Sequence, residues 1–266
     1  MLDKQIENRD SLLPKTNRPF FMAVVGTRGS GKTSLVLNLL LNHFRCQYNK
    51  IYVVSASLHS DEQKMEHLLK NVMTKPNKKL ERAIYQYDIM SGKKTKIKLP
   101  PEKLQRGKHL LDTLDEEWLV DIVKDQSFII KHFGKESADS ILFVFDDLVQ
   151  NDFFKSKRFL DISNRLRHCR INMVLISQGY LQIPRQVRIG VDHLILFHTA
   201  NKRELKTIFD EMGCGLDFPE WLEVFKRATA ESADGFSDAL HIDYTNSRKK
   251  RFSIAFKDFI TPDNKE

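Results

Sequence analysis

Cysteine is scarce in this chain: Cys46, Cys169 and Cys214 are the three among 266 residues. An odd, widely spread set makes no disulfide framework. No Cys-x-x-Cys and no His/Cys cluster at zinc spacing occurs, and the adjacent pair His168 and Cys169 reads as packing. Long apolar runs are missing too. The longest fall far short of the ~20 residues that cross a bilayer, so no stable membrane insertion is expected. The opening MLDKQIENRD is polar and holds no secretion-signal core. These absences together lead us to expect a reducing, intracellular compartment. There is no internal repeat and no low-complexity tract.

What the chain does have is a core-forming composition, with 41% apolar residues and eighteen Phe. Its formal net charge is +8. Such a charge suits a polyanionic partner or a basic solvated surface. The basic character is concentrated in residues 74–110, which carry eleven Lys/Arg against three Asp/Glu. That stretch also holds Pro76, Pro100 and Pro101, and it reads as a partly extended insertion on a sheet rim. It could track a nucleic-acid backbone, with Tyr85 and Tyr87 placed to stack on bases. The plainer alternative is a lysine-rich surface loop.

Residues 1–18 read as a flexible lead-in, and 19–260 as a single domain. Short buried-type strands are expected at Phe20–Val25, Ile51–Ser55, Ile141–Phe145, Asn172–Ser177 and His193–Phe197. Helical patterns lie between them, at about 34–45, 61–73, 115–132, 154–170, 201–212 and 218–229. Alternation of this kind predicts an α/β fold with a largely parallel central sheet flanked by helices. The end of the chain, Ala239–Tyr244 and Arg251–Phe256 around TNSRKK, reads as a C-terminal β-hairpin.

The most specific motif is Gly26-Thr27-Arg28-Gly29-Ser30-Gly31-Lys32-Thr33, followed by Ser34. It matches G-x-x-x-x-G-K-[ST] and sits between a strand and a helix. Glycines let successive N–H groups turn inward around phosphates, and the helix start adds its positive end. Lys32 would reach the β- and γ-phosphates, and the Thr33 hydroxyl would ligate Mg²⁺. The expected ligand is therefore a nucleoside triphosphate, in all expectation ATP, with Mg²⁺.

Asp146 ends an apolar strand, where a P-loop protein needs a carboxylate for Mg²⁺. Asp147 follows, placed to activate an attacking water, unless it merely caps the next helix. Gln178 follows the fourth strand and could sense the γ-phosphate. Arg165, Arg167, Arg170, Arg185 and Arg188 flank that strand. One of them could reach a neighbouring subunit's nucleotide; the alternatives are a solvated face or DNA phosphate contacts.

These blocks resemble the FtsK/HerA superfamily of P-loop ATPases. Within it, GTRGSGKTS at 26–34, ILFVFDD at 141–147 and RLRHCRINMVLISQGYLQIPRQVR at 165–188 look most like the genome-packaging ATPases of double-stranded DNA viruses, of the poxvirus and virophage types. FSDALHID at 236–243 resembles the closing strand. The resemblance covers roughly 20–256, with 74–110 poorly matched. It implies a RecA/FtsK-HerA-like fold and an ATP-hydrolysing, homo-oligomeric ring that moves double-stranded DNA into a preformed capsid. Capsid or portal-vertex proteins would be its partners, and the host-cell cytoplasm, in the viral factory, and the virion its places. By position, Lys32 and Thr33 bind nucleotide and metal, and Asp146 is the Walker B acid. Asp147 matches a catalytic acid that is often Glu in the superfamily. Gln178 matches the sensor, and Arg167 the arginine acting in trans.

A cellular or plasmid DNA translocase of the same superfamily would normally be longer. A small-molecule kinase would leave Gln178 unexplained. Asn201-Lys202-Arg203-Glu204 partly matches the guanine motif of GTPases, but ends in Glu.

Overall fold

In the computed structural model, described for residues 12–55, 62–93, 95, 98–148, 151–213, 215–230, 238–247 and 250–260, one nine-stranded sheet organises the chain. In chain order, β1 (Phe21–Val25) leads through the glycine loop to α1 (Lys32–Asn38). Then come β2 (Lys50–Ser55), α2 (Glu62–Asn71), α3 (Lys78–Met90), β3 (Leu110–Leu111) and α4 (Glu116–Phe133). They are followed by β4 (Ile141–Asp146), α5 (Lys157–Arg165), β5 (Ile171–Ser177), α6 (Arg185–Arg188) and β6 (His193–Phe197). Last are α7 (Lys202–Met212), α8 (Phe218–Ala228), β7 (Ala239–Asp243), β8 (Phe252–Ile254) and β9 (Asp258–Ile260). The strand order is β3-β2-β4-β5-β1-β6-β7-β8-β9. The first six of these strands pair parallel, and β7, β8 and β9 continue the sheet antiparallel.

The buried runs explain the layering. All five residues of β1 and all seven of β5 are buried, as strands covered on both faces must be. Alternation along β1 divides the core. Phe21, Ala23 and Val25 face a cluster with Leu119, Phe159, Ile208 and Trp221, contributed by α4, α5, α7 and α8. Phe20, Met22 and Val24 face a second cluster with Val36, Leu40, Phe44 and Leu68, from α1, its continuation and α2. Helix starts are set by capping side chains. Asp115, Ser156 and Asn201 each accept a backbone N–H, and Asp217 forms a full capping box with Glu220.

Several sequence expectations shift. The helix after the glycine loop starts at Lys32 and ends at Asn38, and Leu39–His43 continues it as a wider π turn. The expected helix over 154–170 is a 3₁₀ turn (Asp152–Lys155) followed by α5, because Ser156 interrupts it with extended backbone and caps the second piece. In the basic segment, Lys78–Met90 is a helix, where extended chain was expected in part. Asn77 caps it, and no residue of it is buried. The segment does lie on the rim, since its β3 is the edge strand beside β2. The terminal hairpin is a three-stranded antiparallel extension, because β9 pairs with β8. The start of the expected second helix at Asp61, residues 1–11 of the lead-in, and Phe236 and Ser237 of the closing block lie outside the described residues.

Candidate nucleotide site

Parallel pairing in register brings the C-terminal ends of β2, β4, β5 and β1 to one edge of the sheet. Ser55 stands opposite Asp146, Asp146 opposite Ile176, and Ser177 opposite Val25. Crevices beyond strand ends are where open α/β sheets bind ligands. The glycine loop starts from this edge, and Gly26 N–H donates to Ser177 O at 3.2 Å.

Glycine is required here for two separate reasons. A Cβ on Gly26 would lie 2.6 Å from Phe197 Cβ and 2.7 Å from Ser30 Oγ. Gly31, at the start of α1, has φ 96°, a left-handed conformation that a side chain strains. The resulting loop is tight. The Lys32 ammonium folds over it and donates to Thr27 O at 2.7 Å. Burial pushes the Lys32 pKa down, and the carboxylates of Asp147 and Asp146 act to raise it. Ser30 Oγ is buried without a hydrogen-bond partner. Buried hydroxyls are rarely left so, which makes it an available group inside the cradle.

Asp146 is buried at the end of β4, and Ser55 Oγ donates to its Oδ2 at 3.1 Å. Asp147 is exposed, with φ 58°, and its N–H donates to Ile176 O. The helix-cap alternative for Asp147 is corrected: Asn151 and Ser156 cap the turn and helix that follow. Gln178 Nε2 donates to Asp147 Oδ2 at 2.5 Å. Lys32, from the loop and helix that follow β1, is thus brought to Asp146, Asp147 and Gln178 at the ends of β4 and β5, since these strands are neighbours in the sheet.

The residues fit Mg²⁺ with a triphosphate. The donor set of Thr33 hydroxyl and Asp146 carboxylate is hard oxygen, the chemistry that Mg²⁺ takes, beside a cradle in which a Cβ on Gly26 would collide. Thr27, Arg28 and Gly29 form the exposed lip of the loop, and Ser34 is exposed on α1.

Arg167 is not brought to this site. It pairs with Asp192, and both residues precede their strands, at the opposite edge of the sheet. A strand of five residues separates the edges by ~16 Å. Arg188 is buried in a two-pronged ion pair with Glu211, Nε–Oε2 2.6 Å and Nη2–Oε1 2.8 Å. Arg170 donates to Lys135 O. Arg185 is exposed, 3.4 Å from Glu211 near the end of α7.

Sequence reasoning missed Glu204. It is buried, and its Oε1 accepts the N–H of Tyr180 at 2.5 Å and of Leu181 at 3.3 Å, while Thr199 Oγ1 donates to its Oε2. It therefore holds the loop that follows Gln178. Asn201 caps the same helix by accepting Glu204 N–H. The block Asn201–Glu204 is a capping arrangement with a buried anchor, which accounts for its partial match to a guanine motif. Ser55 was also missed; the available signal was its place at the end of a buried strand, like Asp146 and Ser177.

The sheet, loop and acid pair define a P-loop nucleotide-binding α/β protein. Residues 113–229 match the family model described as Poxvirus A32 protein. The chain is similar to uncharacterized protein 075L of Invertebrate iridescent virus 6, 28% identical over 132 residues, covering 50% of this chain and 49% of that protein. The chain thus spans about half the length of that relative in the match. Among solved structures it is similar to B204, the DNA-packaging ATPase from Sulfolobus turreted icosahedral virus (TM-score 0.49, 16% identity, 86% of this chain and 94% of that one). It is also similar to the genome-packaging NTPase B204 of Sulfolobus turreted icosahedral virus 2 in complex with AMP (TM-score 0.49, 12% identity, 85% and 93%). VirB4 of Thermoanaerobacter pseudethanolicus is similar at TM-score 0.46 and 11% identity, over 88% and 89%. The poxvirus-type resemblance read from the sequence and the family match agree, and the matched residues contain Asp146, Asp147 and Gln178.

Proposed function

We propose that the protein hydrolyses ATP and uses it to move double-stranded DNA into a preformed capsid, as a ring of identical subunits. The observation that carries the chemistry is the convergence of Lys32, Asp146, Asp147 and Gln178 on one edge of the sheet. Loop N–H groups and the start of α1 would receive the phosphates. Lys32, held by a single backbone carbonyl, can exchange that partner for a phosphate oxygen. Thr33 and Asp146 would hold Mg²⁺, which neutralises charge on the β- and γ-phosphate oxygens. Asp147 takes a proton from the attacking water, and the Gln178 amide steers that water through its Oε1 while its NH₂ holds Asp147.

The DNA part of the proposal rests on charge. The rim segment 74–110 concentrates the basic residues, and its helix α3 exposes Tyr85 and Tyr87. Capsid delivery rests on the resemblance of residues 26–34, 141–147 and 165–188 to viral genome-packaging ATPases, with which the poxvirus A32 match agrees. Arg167, paired with Asp192 and out of reach of its own nucleotide edge, could act in hydrolysis only on a neighbouring subunit's nucleotide.

The test is the ATPase rate of the assembled protein with and without long duplex DNA, at two salt concentrations. Stimulation that fades with salt is expected, because phosphate contacts release counterions. An assembled ring that hydrolyses ATP at a rate indifferent to DNA at both salts would overturn the DNA-motor reading.

A further inference from the structure

Away from the nucleotide edge, the sheet buries two imidazoles and a carboxylate together. His193 opens β6, and His241 and Asp243 lie on β7, the first antiparallel strand. Their exposures are 3%, 1% and 7%. His193 Nδ1 is 3.2 Å from His241 Nε2 and 3.6 Å from Asp243 Oδ1, and one ligand atom from each residue lies within 4.8 Å of the other two. Four-coordinate zinc with bonds of about 2.0–2.1 Å spaces its ligand atoms by about 3.3 Å. The spacings found straddle that value.

The surrounding contacts orient these atoms as ligands. The Ser253 hydroxyl donates to Ala255 O at 2.8 Å, so it accepts from His241 Nδ1–H at 3.1 Å. That leaves the lone pair of His241 Nε2 directed at His193. Asp243 Oδ1 accepts both the N–H and the hydroxyl of Thr245, at 2.8 and 2.7 Å. Partners of this kind fix the tautomer and ring orientation in metal sites. Phe20 packs edge-on against His193 and Phe256 against His241, closing the site from solvent.

We propose that His193 Nδ1, His241 Nε2 and Asp243 Oδ1 bind one zinc ion, with water as fourth ligand, and that this ion ties the antiparallel extension to the parallel sheet. The site is independent of the nucleotide and of the DNA reading. Its donor set has two nitrogens, the preference of Zn²⁺, and differs from the oxygen set at Thr33 and Asp146. Binding would be structural, because the ligands join β6 to β7 and metal affinity adds to folding stability.

The test uses the full chain carrying Asp146→Asn, which takes the charged ligand from the metal position of the nucleotide site. After dialysis against EDTA it is titrated with Zn²⁺, and with Co²⁺ as a spectroscopic probe. Stoichiometric Zn²⁺ by elemental analysis, a rise in Tm on adding it, and a four-coordinate Co²⁺ absorption with nitrogen ligands are expected. His193→Gln and Asp243→Asn should each abolish the absorption and the Tm rise. The Co²⁺ spectrum of the unaltered triad reads the site even where a variant fails to fold. Failure of the triad-bearing chain to take up Zn²⁺ or Co²⁺, or retention of both in folded His193→Gln and Asp243→Asn chains, would overturn the proposal and leave a hydrogen-bonded buried triad.

Discussion

Gln178 donates to the carboxylate of Asp147 at 2.5 Å, and Asp147 itself sits in the left-handed region at φ 58°. The two residues come from adjacent strands, and the bond fixes where the carboxylate points. Asn tolerates left-handed backbone at least as well as Asp. Asp147→Asn therefore changes the chemistry with little strain. It should leave nucleotide affinity intact and lower turnover by about 10²–10⁴-fold. Steady-state ATPase rates beside nucleotide titrations check this; wild-type turnover would remove Asp147 from its role.

Gly26→Ala should damage the loop by sterics alone. The new methyl would stand 2.6 Å from Phe197 Cβ, a contact that must be relieved by moving the loop or β6. Overpacking of this sort costs about 1–3 kcal/mol. A lower Tm together with lost ATP binding is expected, whereas Lys32→Ala should lose hydrolysis with Tm nearly unchanged. Calorimetry and nucleotide binding separate the two.

Glu204→Ala should act at a distance from the nucleotide. It deprives the Tyr180 and Leu181 N–H groups of their acceptor. Leaving a buried donor unsatisfied costs about 1–3 kcal/mol. The loop carrying Gln178 should loosen, so kcat should fall more than nucleotide affinity. Equal losses in both, or none, would remove Glu204 from the positioning of that loop.

Acid should weaken the lower support of the same loop. The hydrogen bonds from Arg188, with smaller help from Tyr180 and Arg185, hold the Glu211 carboxyl below the usual carboxylate range. A carboxyl depressed in the folded state stabilises the protein above its ordinary pKa, and that contribution is lost as pH falls through the folded value. Stability should thus drop on acidification below about pH 4.5, the ordinary value. Glu211→Gln should flatten that part of the curve. An unchanged pH profile of Tm in Glu211→Gln would count against the ion pair as its source.

The nucleotide site was largely legible because its chemistry is written locally. Gly26–Thr33 is contiguous, and Asp146 and Gln178 each follow a run of buried apolar residues, which parallel pairing carries to a common edge. Arg167, by contrast, was chosen by motif position, and its distance from the edge depends on which end of β5 it precedes. Glu204 was illegible because its partners are backbone N–H groups about two dozen positions away. α3 was missed because it buries nothing, and Pro76, Pro100 and Pro101 with the dense lysines around it made the whole segment read as partly extended. The triad of His193, His241 and Asp243 was hidden because its members are separated by forty-eight positions and only the β6–β7 register unites them.

Among the described residues, both rims of the sheet are short strands. β3 has two residues and β9 three. Rims so brief expose very few open backbone donors and acceptors, the groups through which one sheet recruits another. Copies of this chain are therefore steered away from stacking into continuous ribbons. In the proposed ring, that leaves contact to side chains, whose shapes and charges can be tuned, released and remade without unzipping any backbone ladder.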